Sequence, residues 1–230
     1  MEFIDGQTLA QWMRDNPMPP LEKVRGIVEQ LAQGLQTLHR REMLHQDLRP
    51  ENVIIDHQGT VKLIDLASAH VEGLAEYHRD ALLNAVPGTL QYTAPEYLLG
   101  QGGSQRSELF ALAAITYQML TGQLPYGLDI ARVRSPQDLR GLRYISARHH
   151  RPDLPAWVDA VLAKALQPDP ARRQEVISEF IHDLKAPGTQ FRNPRSTPLI
   201  ERNPVLFWKS ATALLGLTVI AFIALRILER

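Results

Sequence analysis

The sequence predicts a mainly α-helical fold with a small β-hairpin, followed by one C-terminal transmembrane helix. Three observations carry that prediction. Leu21, Val24, Val28, Leu31, Leu35 and Leu38 recur at three- and four-residue steps, which paints one apolar stripe along a helix. Two short apolar runs, Val53-Ile54-Ile55 and Val61-Lys62-Leu63-Ile64, flank the polar, Gly-containing loop Asp56-His57-Gln58-Gly59, which is the pattern of a hairpin. Near the end, Val205 to Leu225 holds a single charge, Lys209. About twenty residues at roughly 1.5 Å each cover the roughly 30 Å hydrocarbon core of a bilayer.

Composition narrows the class. The 230 residues suit one medium domain plus an appendage. With no cysteine, the fold needs no disulfides. Lys and Arg together number 25, as do Asp and Glu, so no charge excess points to a nucleic-acid partner. No basic, then apolar, then small-residue stretch opens the chain, so no signal peptide is expected.

The elements follow in order. Met1 to Gly6 reads as a short extended piece that runs into a helix capped near Thr8. Pro19-Pro20 opens the striped helix, which ends at His39-Arg40-Arg41, where cations suit a helix C-terminus. Gly26 and Gly34 either weaken this helix or permit close packing. After the hairpin, Ser107 to Leu120 is apolar on most faces and predicts a buried helix, stopped by Gly122 and Pro125. Ser135-Pro136 starts a short exposed helix. Trp157, Val158, Val161, Leu162 and Leu166 mark an amphipathic one. The last runs from Gln174 to Leu184, with Val176, Ile177, Phe180, Ile181 and Leu184 inward. His149, His150 and His182 lack a third ligand at fitting spacing and read as solvated or core-edge histidines. Residues 186–204 alternate Pro with Arg192, Arg195 and Arg202, the composition of an extended basic linker. In the 205–228 segment, Lys209 can snorkel and Trp208 can anchor at the interface.

The chemistry concentrates in His45-Gln46-Asp47-Leu48-Arg49-Pro50-Glu51-Asn52. The hairpin that follows brings Asp47, Asn52 and Asp65 to one of its ends. Two carboxylates and an amide oxygen are hard ligands that suit Mg²⁺, and one carboxylate can accept a proton. This order of motif, hairpin and Asp resembles the catalytic core of eukaryotic-type Ser/Thr protein kinases, in their bacterial membrane-anchored form. The resemblance covers residues 1–185 as the large, C-terminal lobe. It implies that Asp47 accepts the proton of the substrate hydroxyl and that Asn52 and Asp65 hold Mg²⁺ against ATP. Arg49 stands where the family usually has Lys, near the transferred phosphate, and Arg is a planar fork rather than a point charge. Met1 to Gly6 is similar to the family's hinge, so the backbone of Glu2 and Ile4 would face the adenine.

Further motifs extend the likeness. Gly88-Thr89 to Ala94-Pro95-Glu96 resembles the end of an activation segment, with Thr89 in the place of the threonine that contacts the catalytic Asp in Ser/Thr-specific members. The resemblance implies that Glu96 pairs with an Arg far down the chain, for which Arg173 is the matching candidate; a guanidinium fork and a carboxylate can bond bidentately. Glu108 replaces the Asp that ties the buried helix to the catalytic loop, and its extra methylene is expected to alter that tie. Asp65-Leu66-Ala67 stands for Asp-Phe-Gly, with Leu66 expected in an apolar slot and Ala67 restricting the backbone. Gln46 replaces an Arg that pairs with a phosphorylated activation segment, and no Ser or Thr lies from Ala69 to Gly88, so activity is expected not to need phosphorylation there.

The expected function is therefore transfer of the γ-phosphate of ATP to Ser/Thr hydroxyls of proteins, by a cytoplasmic domain on a single-pass membrane helix. The sequence holds no Gly-rich loop or strand Lys of the small lobe. Two explanations stand: a fragment or misplaced start of a longer kinase, or an inactive, membrane-held pseudokinase that acts as a binding module.

Overall fold

The computed structural model describes residues 4–66, 70–71, 90–186 and 188, and 208–210, 212 and 215 of the C-terminal stretch. The chain divides into two units, Met1–Phe191 and Arg192–Arg230.

The first unit is mainly helical, as the sequence requires. Strand β1 (Gly6–Thr8) leads directly into α1 (Leu9–Asp15). The junction is a reciprocal cap: Gln11 N donates to Thr8 Oγ1 at 3.2 Å, and Thr8 N to Gln11 Oε1 at 3.0 Å. Pro20 precedes α2 (Leu21–His39), where its fixed φ suits a helix start. Val24, Val28, Leu31 and Leu35 are buried, joined by Ile27 and Ala32, while Leu21 and Leu38 are only partly covered at the stripe's ends. The two helical glycines part ways. A Cβ on Gly34 would stand 2.9 Å from Leu63 Cδ1, so this glycine lets the sheet lie against α2, whereas nothing lies within 4 Å of one on Gly26.

The hairpin is β3 (Val53–Asp56) and β4 (Val61–Leu63), paired Val53 to Leu63 and Ile55 to Val61. Its turn is held by Asp56, whose Oδ1 accepts from Gln58 N and Thr60 N at 2.9 and 2.8 Å. The structure adds a third strand. β1 pairs antiparallel with β3, Gly6 opposite Asp56 and Thr8 opposite Ile54. A Cβ at Gly6 would collide with the Ile55 carbonyl, so this pairing needs glycine. A separate two-stranded ladder joins β2 (Met43–Leu44) to β5 (His70–Val71).

The core forms around α4 (Gln105–Thr121), which starts with Ser104 accepting from Ser107 N and ends at Gly122, φ 70°. Leu109, Phe110, Leu112, Ala113, Ala114, Ile115, Tyr117 and Leu120 are fully buried, which matches the all-round apolar sequence. α2 packs against α4 and against α8 (Ile177–Lys185). Between them come α3 (Pro95–Leu98), the exposed α5 (Pro136–Gly141), α6 (Ala147–His150) and α7 (Ala156–Ala165). α8 starts later than the periodicity suggests. Val176 sits ahead of it, 44 % exposed rather than inward, because the extended backbone of its N-cap position turns the side chain out.

Two expectations fall largely outside the described residues. Of the 186–204 linker and the 205–228 span, the structure describes only Ala186, Gly188, Trp208–Ser210, Thr212 and Leu215, and the last five are helical. Among the described residues no helix is long and apolar enough to cross a membrane.

Candidate active site

The turn Pro50–Asn52 links the loop after β2 to β3, and it brings Asn52 back onto Asp47. Asn52 Nδ2 donates to both the carbonyl and Oδ2 of Asp47, each at 2.8 Å. Both amide protons are thereby used, so the amide is turned with Oδ1 as an available acceptor. Asp47 keeps its second oxygen, Oδ1, for a proton donor. Asp65 is placed through its neighbour. Ile64 N donates to Asn52 O at 2.9 Å, and His45 Nε2 meets Ile64 O at 3.1 Å. That carbonyl can only accept, so the His45 proton is on Nε2. Asp65 follows with φ 61°, a left-handed backbone uncommon for a non-glycine residue, at the point where the chain leaves the sheet.

The loop is clamped from below. Glu108, buried in the first turn of α4, accepts from His45 N and from Gln46 N (2.9 Å) through Oε1, and its Oε2 lies 2.5 Å from His39 Nε2. The expected alteration of this tie is corrected by the geometry. The carboxylate spans the loop backbone and His39 together, so the tie is kept. His39 had no sequence signal beyond a cation at a helix end. Gln46 is held with φ 66°, again left-handed, and a backbone so strained persists only where its surroundings fix it.

Arg49 caps the Pro50–Asn52 turn, and its Nε donates to Glu51 Oε2 at 2.8 Å. That bond holds the Arg49 pKa above its ordinary value. Burial raises the Glu51 carboxyl, but the Arg49 bond, a backbone hydrogen bond and the Arg49 and Arg14 charges together outweigh it and leave Glu51 below its ordinary value. The terminal guanidinium nitrogens remain for an anion. Tyr92 Oη donates to Gln118 Oε1 at 2.5 Å, and burial, with the nearby Glu51 charge, pushes its hydroxyl up to about 12.

At α3 the expected ion pair forms. Arg173 Nη1 and Nη2 each reach a Glu96 oxygen at 2.7 Å, with both residues buried. Its three remaining N–H groups donate to the carbonyls of Arg106, Pro168 and Gln167, so all five donors are used. Ser107 Oγ adds a bond to Glu96 at 2.7 Å, and the guanidinium lies 4.8 Å over the Phe110 ring.

The structure thus brings Asp47, Asn52, Arg49 and the backbone leading to Asp65 together. Ile4 is half-buried ahead of β1, and because Gly6 pairs with the turn end of β3, it is not brought to the Asp47–Asn52 pair. Leu66 is 47 % exposed, which corrects its expected place in an apolar slot: among the described residues no core side chain covers it. Glu2 and Thr89 lie outside the described residues, as does most of 69–88.

A protein kinase domain matches residues 1–184, most of the chain. The chain belongs to the protein kinase family. Among relatives it is 28 % identical over 186 residues to the serine/threonine-protein kinase PrkC of Bacillus subtilis, covering 80 % of this chain and 28 % of that one. It is 31 % identical over 185 residues to the serine/threonine-protein kinase PknB of Mycobacterium leprae, covering 80 % and 29 %. With the serine/threonine-protein kinase PknA of Corynebacterium glutamicum it shares 27 % over 222 residues, 94 % of this chain and 45 % of the relative. The chain therefore spans less than a third of the first two relatives and under half of the third.

The donor set fits the Mg²⁺ that the family implies. Asn52 Oδ1 and the Asp65 carboxylate would offer hard oxygen donors, and Mg²⁺ takes one or two protein carboxylates with phosphates and water rather than a full protein cage. Among the described residues no group of three or more His, Asp or Glu could form such a cage.

Proposed function

We propose that this chain carries the catalytic centre of a Ser/Thr protein kinase that moves the γ-phosphate of ATP to protein hydroxyls. The observation that supports the reading is the Asn52 clamp on Asp47, which fixes one carboxylate oxygen and leaves the other for an incoming hydroxyl. Asp47 then takes the hydroxyl proton as the oxygen attacks, and Arg49 stands by with its terminal nitrogens for the phosphate. Mg²⁺, held by Asn52 and Asp65, would supply charge neutralisation to the phosphates. Thr89 would keep the Asp47 side of the site shaped for Ser and Thr, and Glu2 and Ile4 would lie toward the adenine.

The same reading tethers the domain to a membrane through residues 205–228, on the cytosolic side. Support comes from sequence: one charge in the apolar run, Trp208 at its edge and a basic 186–204 stretch before it. Resistance of the protein to alkaline extraction from membranes, lost on deleting 205–228, tests that part.

The main test uses the protein as expressed from its own locus. Asp47→Ala is expected to lower phosphorylation of a generic protein substrate at least about a hundredfold while ATP binding is kept. Turnover that survives the change rejects Asp47 as the base. ATP binding without transfer, in the unaltered protein, moves the reading to a membrane-held pseudokinase that acts as a binding module.

A further inference from the structure

Between the catalytic loop and α3 lies a cavity of about 20 Å³, with Gln46, Asp47, Tyr97 and Glu108 on its wall. One water needs about 10–15 Å³ and two to four polar partners, so the volume suits a single molecule. The wall carries two buried polar atoms, Tyr97 Oη and Gln46 Oε1. Neither has a hydrogen-bond partner among the described residues, and neither reaches the other.

The two groups are complementary. Burial, with the charges of Glu108 and Glu96, holds the Tyr97 hydroxyl above its ordinary pKa, so it keeps its proton and can donate. Gln46 Oε1 can only accept. A water between them accepts from Tyr97 and donates to Gln46, and the carboxylates of Asp47 and Glu108 on the same wall can take its second proton. Unbridged, each buried group would carry its full desolvation cost. The backbone makes room for the hydroxyl, since a Cβ on Gly103 would collide with Tyr97 Oη. The place is also a sensitive one. Gln46 is left-handed at φ 66° and directly precedes Asp47. Glu108 holds its backbone N–H at 2.9 Å, but no described residue holds its side-chain oxygen.

We propose that this cavity binds one structural water, shared by Tyr97 Oη and Gln46 Oε1, and that Tyr97 is through it a positioning residue for Asp47. The water fixes the Gln46 side chain, and with it the strained backbone that carries the Asp47 carboxylate. The positioning role rests on the phosphoryl-transfer reading above, and the water does not. Tyr97 takes no part in the chemistry itself.

The test compares Tyr97→Phe with the unaltered protein, using the full 230-residue chain. The change keeps the ring and removes only the hydroxyl. Two readouts need no activity. The thermal midpoint is expected to fall by about 2–4 °C, the shift that one lost hydrogen bond gives a chain of this size. Amide hydrogen exchange is expected to quicken about fivefold at His45 and Gln46, whose N–H groups Glu108 holds, and to stay unchanged in α7. An orphan hydroxyl predicts the reverse, because its removal relieves a buried unpaired group. A midpoint that rises or stays level therefore overturns the water, as does exchange that is unchanged or quickens evenly across the domain. Gln46→Met should reproduce the Tyr97→Phe effects, and the double variant should match either single change, since both remove one bridge. Additive losses overturn the sharing. Phosphoryl transfer by the protein from its own locus tests the positioning role. Tyr97→Phe is expected to lower kcat about fivefold and leave KM for the protein substrate unchanged. Unchanged kcat, or a loss confined to KM, removes that role and leaves the kinase. If the unaltered protein transfers no phosphate, the kinase reading and the positioning role fall together, while midpoint and exchange still decide the water.

Discussion

Glu96 and Glu108 are both buried carboxylates at the edge of α4, yet they are neutralised by opposite means. Glu96 faces a full cation, and Arg173 has every donor occupied around it. Glu108 faces two backbone N–H groups and one imidazole. The first arrangement ties α3 to the segment before α8, two rigid parts of the domain. The second holds a strained loop whose next residue is the proposed base. A buried charge matched by charge serves the architecture, and one matched by backbone dipoles serves a local conformation. Both are needed because an unmatched carboxylate in either place would carry a large desolvation cost.

The largest effect should come from breaking the ion pair. Arg173→Ala leaves Glu96 buried without a cation and is expected to cost about 3–5 kcal/mol in urea unfolding. Glu96→Ala should cost a similar amount, and the double substitution clearly less than the sum. An additive double mutant would mean that the two residues stabilise through separate partners.

The Glu108 clamp should respond differently. Glu108→Gln keeps the length but removes the charge and one acceptor, with an expected loss of about 1–3 kcal/mol. Phosphoryl transfer by the protein from its own locus should fall at least about tenfold, because Gln46 loses the support for its left-handed backbone. A variant with full stability loss and unchanged turnover would place Glu108 with Glu96, as architecture only.

Asp183 supplies a third buried carboxylate, this time without a matching cation. Its Oδ2 has no partner among the described residues, nor does Oε1 of the buried Gln174. Burial raises the Asp183 pKa above 3.8, partly offset by Gln174. The folded state therefore holds the proton more tightly than the unfolded chain. This contribution to stability is complete below the unfolded pKa and is lost as pH rises through the folded value. Asp183→Asn should accordingly stabilise the domain at neutral pH by about 1 kcal/mol, with the gain vanishing in acid. A thermal-denaturation series across pH in which the two proteins keep a constant gap would show that Asp183 is matched by a group other than Gln174.

The smallest effect belongs to the partly exposed pair Arg49–Glu51, with side chains 20 % and 49 % accessible. Solvent screening limits such a pair to at most about 1 kcal/mol. Glu51→Gln should leave unfolding within about 0.5 kcal/mol of the parent, which sets the scale against which the buried pairs stand out.

Much of this was legible in the residues, and the reasons differ by element. The stripe of α2, the all-apolar α4 and the hairpin follow from periodicity, which is local. Thr8 and Ser135 mark helix starts because a cap needs only a side chain and the next turn. The pairing of Glu96 with Arg173 was reached through resemblance, since no local rule joins residues so far apart. Leu66 and Val176 were misjudged for a common reason: apolar character fixes a preference for burial, but the neighbours available at that point of the fold decide whether it is met. The extended piece ahead of Thr8 was legible, but its pairing with β3 was not, because Gly6-Gln7-Thr8 is too short to show a period of two.

By itself, the sequence determined which segments coil and where most of them start and stop, because these depend on neighbours within a few residues. Only the tertiary structure decided that Gly6 lies against Ile55, that His39 shares Glu108 with the catalytic loop, and that Tyr97 and Gln46 face one cavity beside Asp47. Each of those depends on the distance between segments remote in the chain, and that distance is set by how the whole core packs.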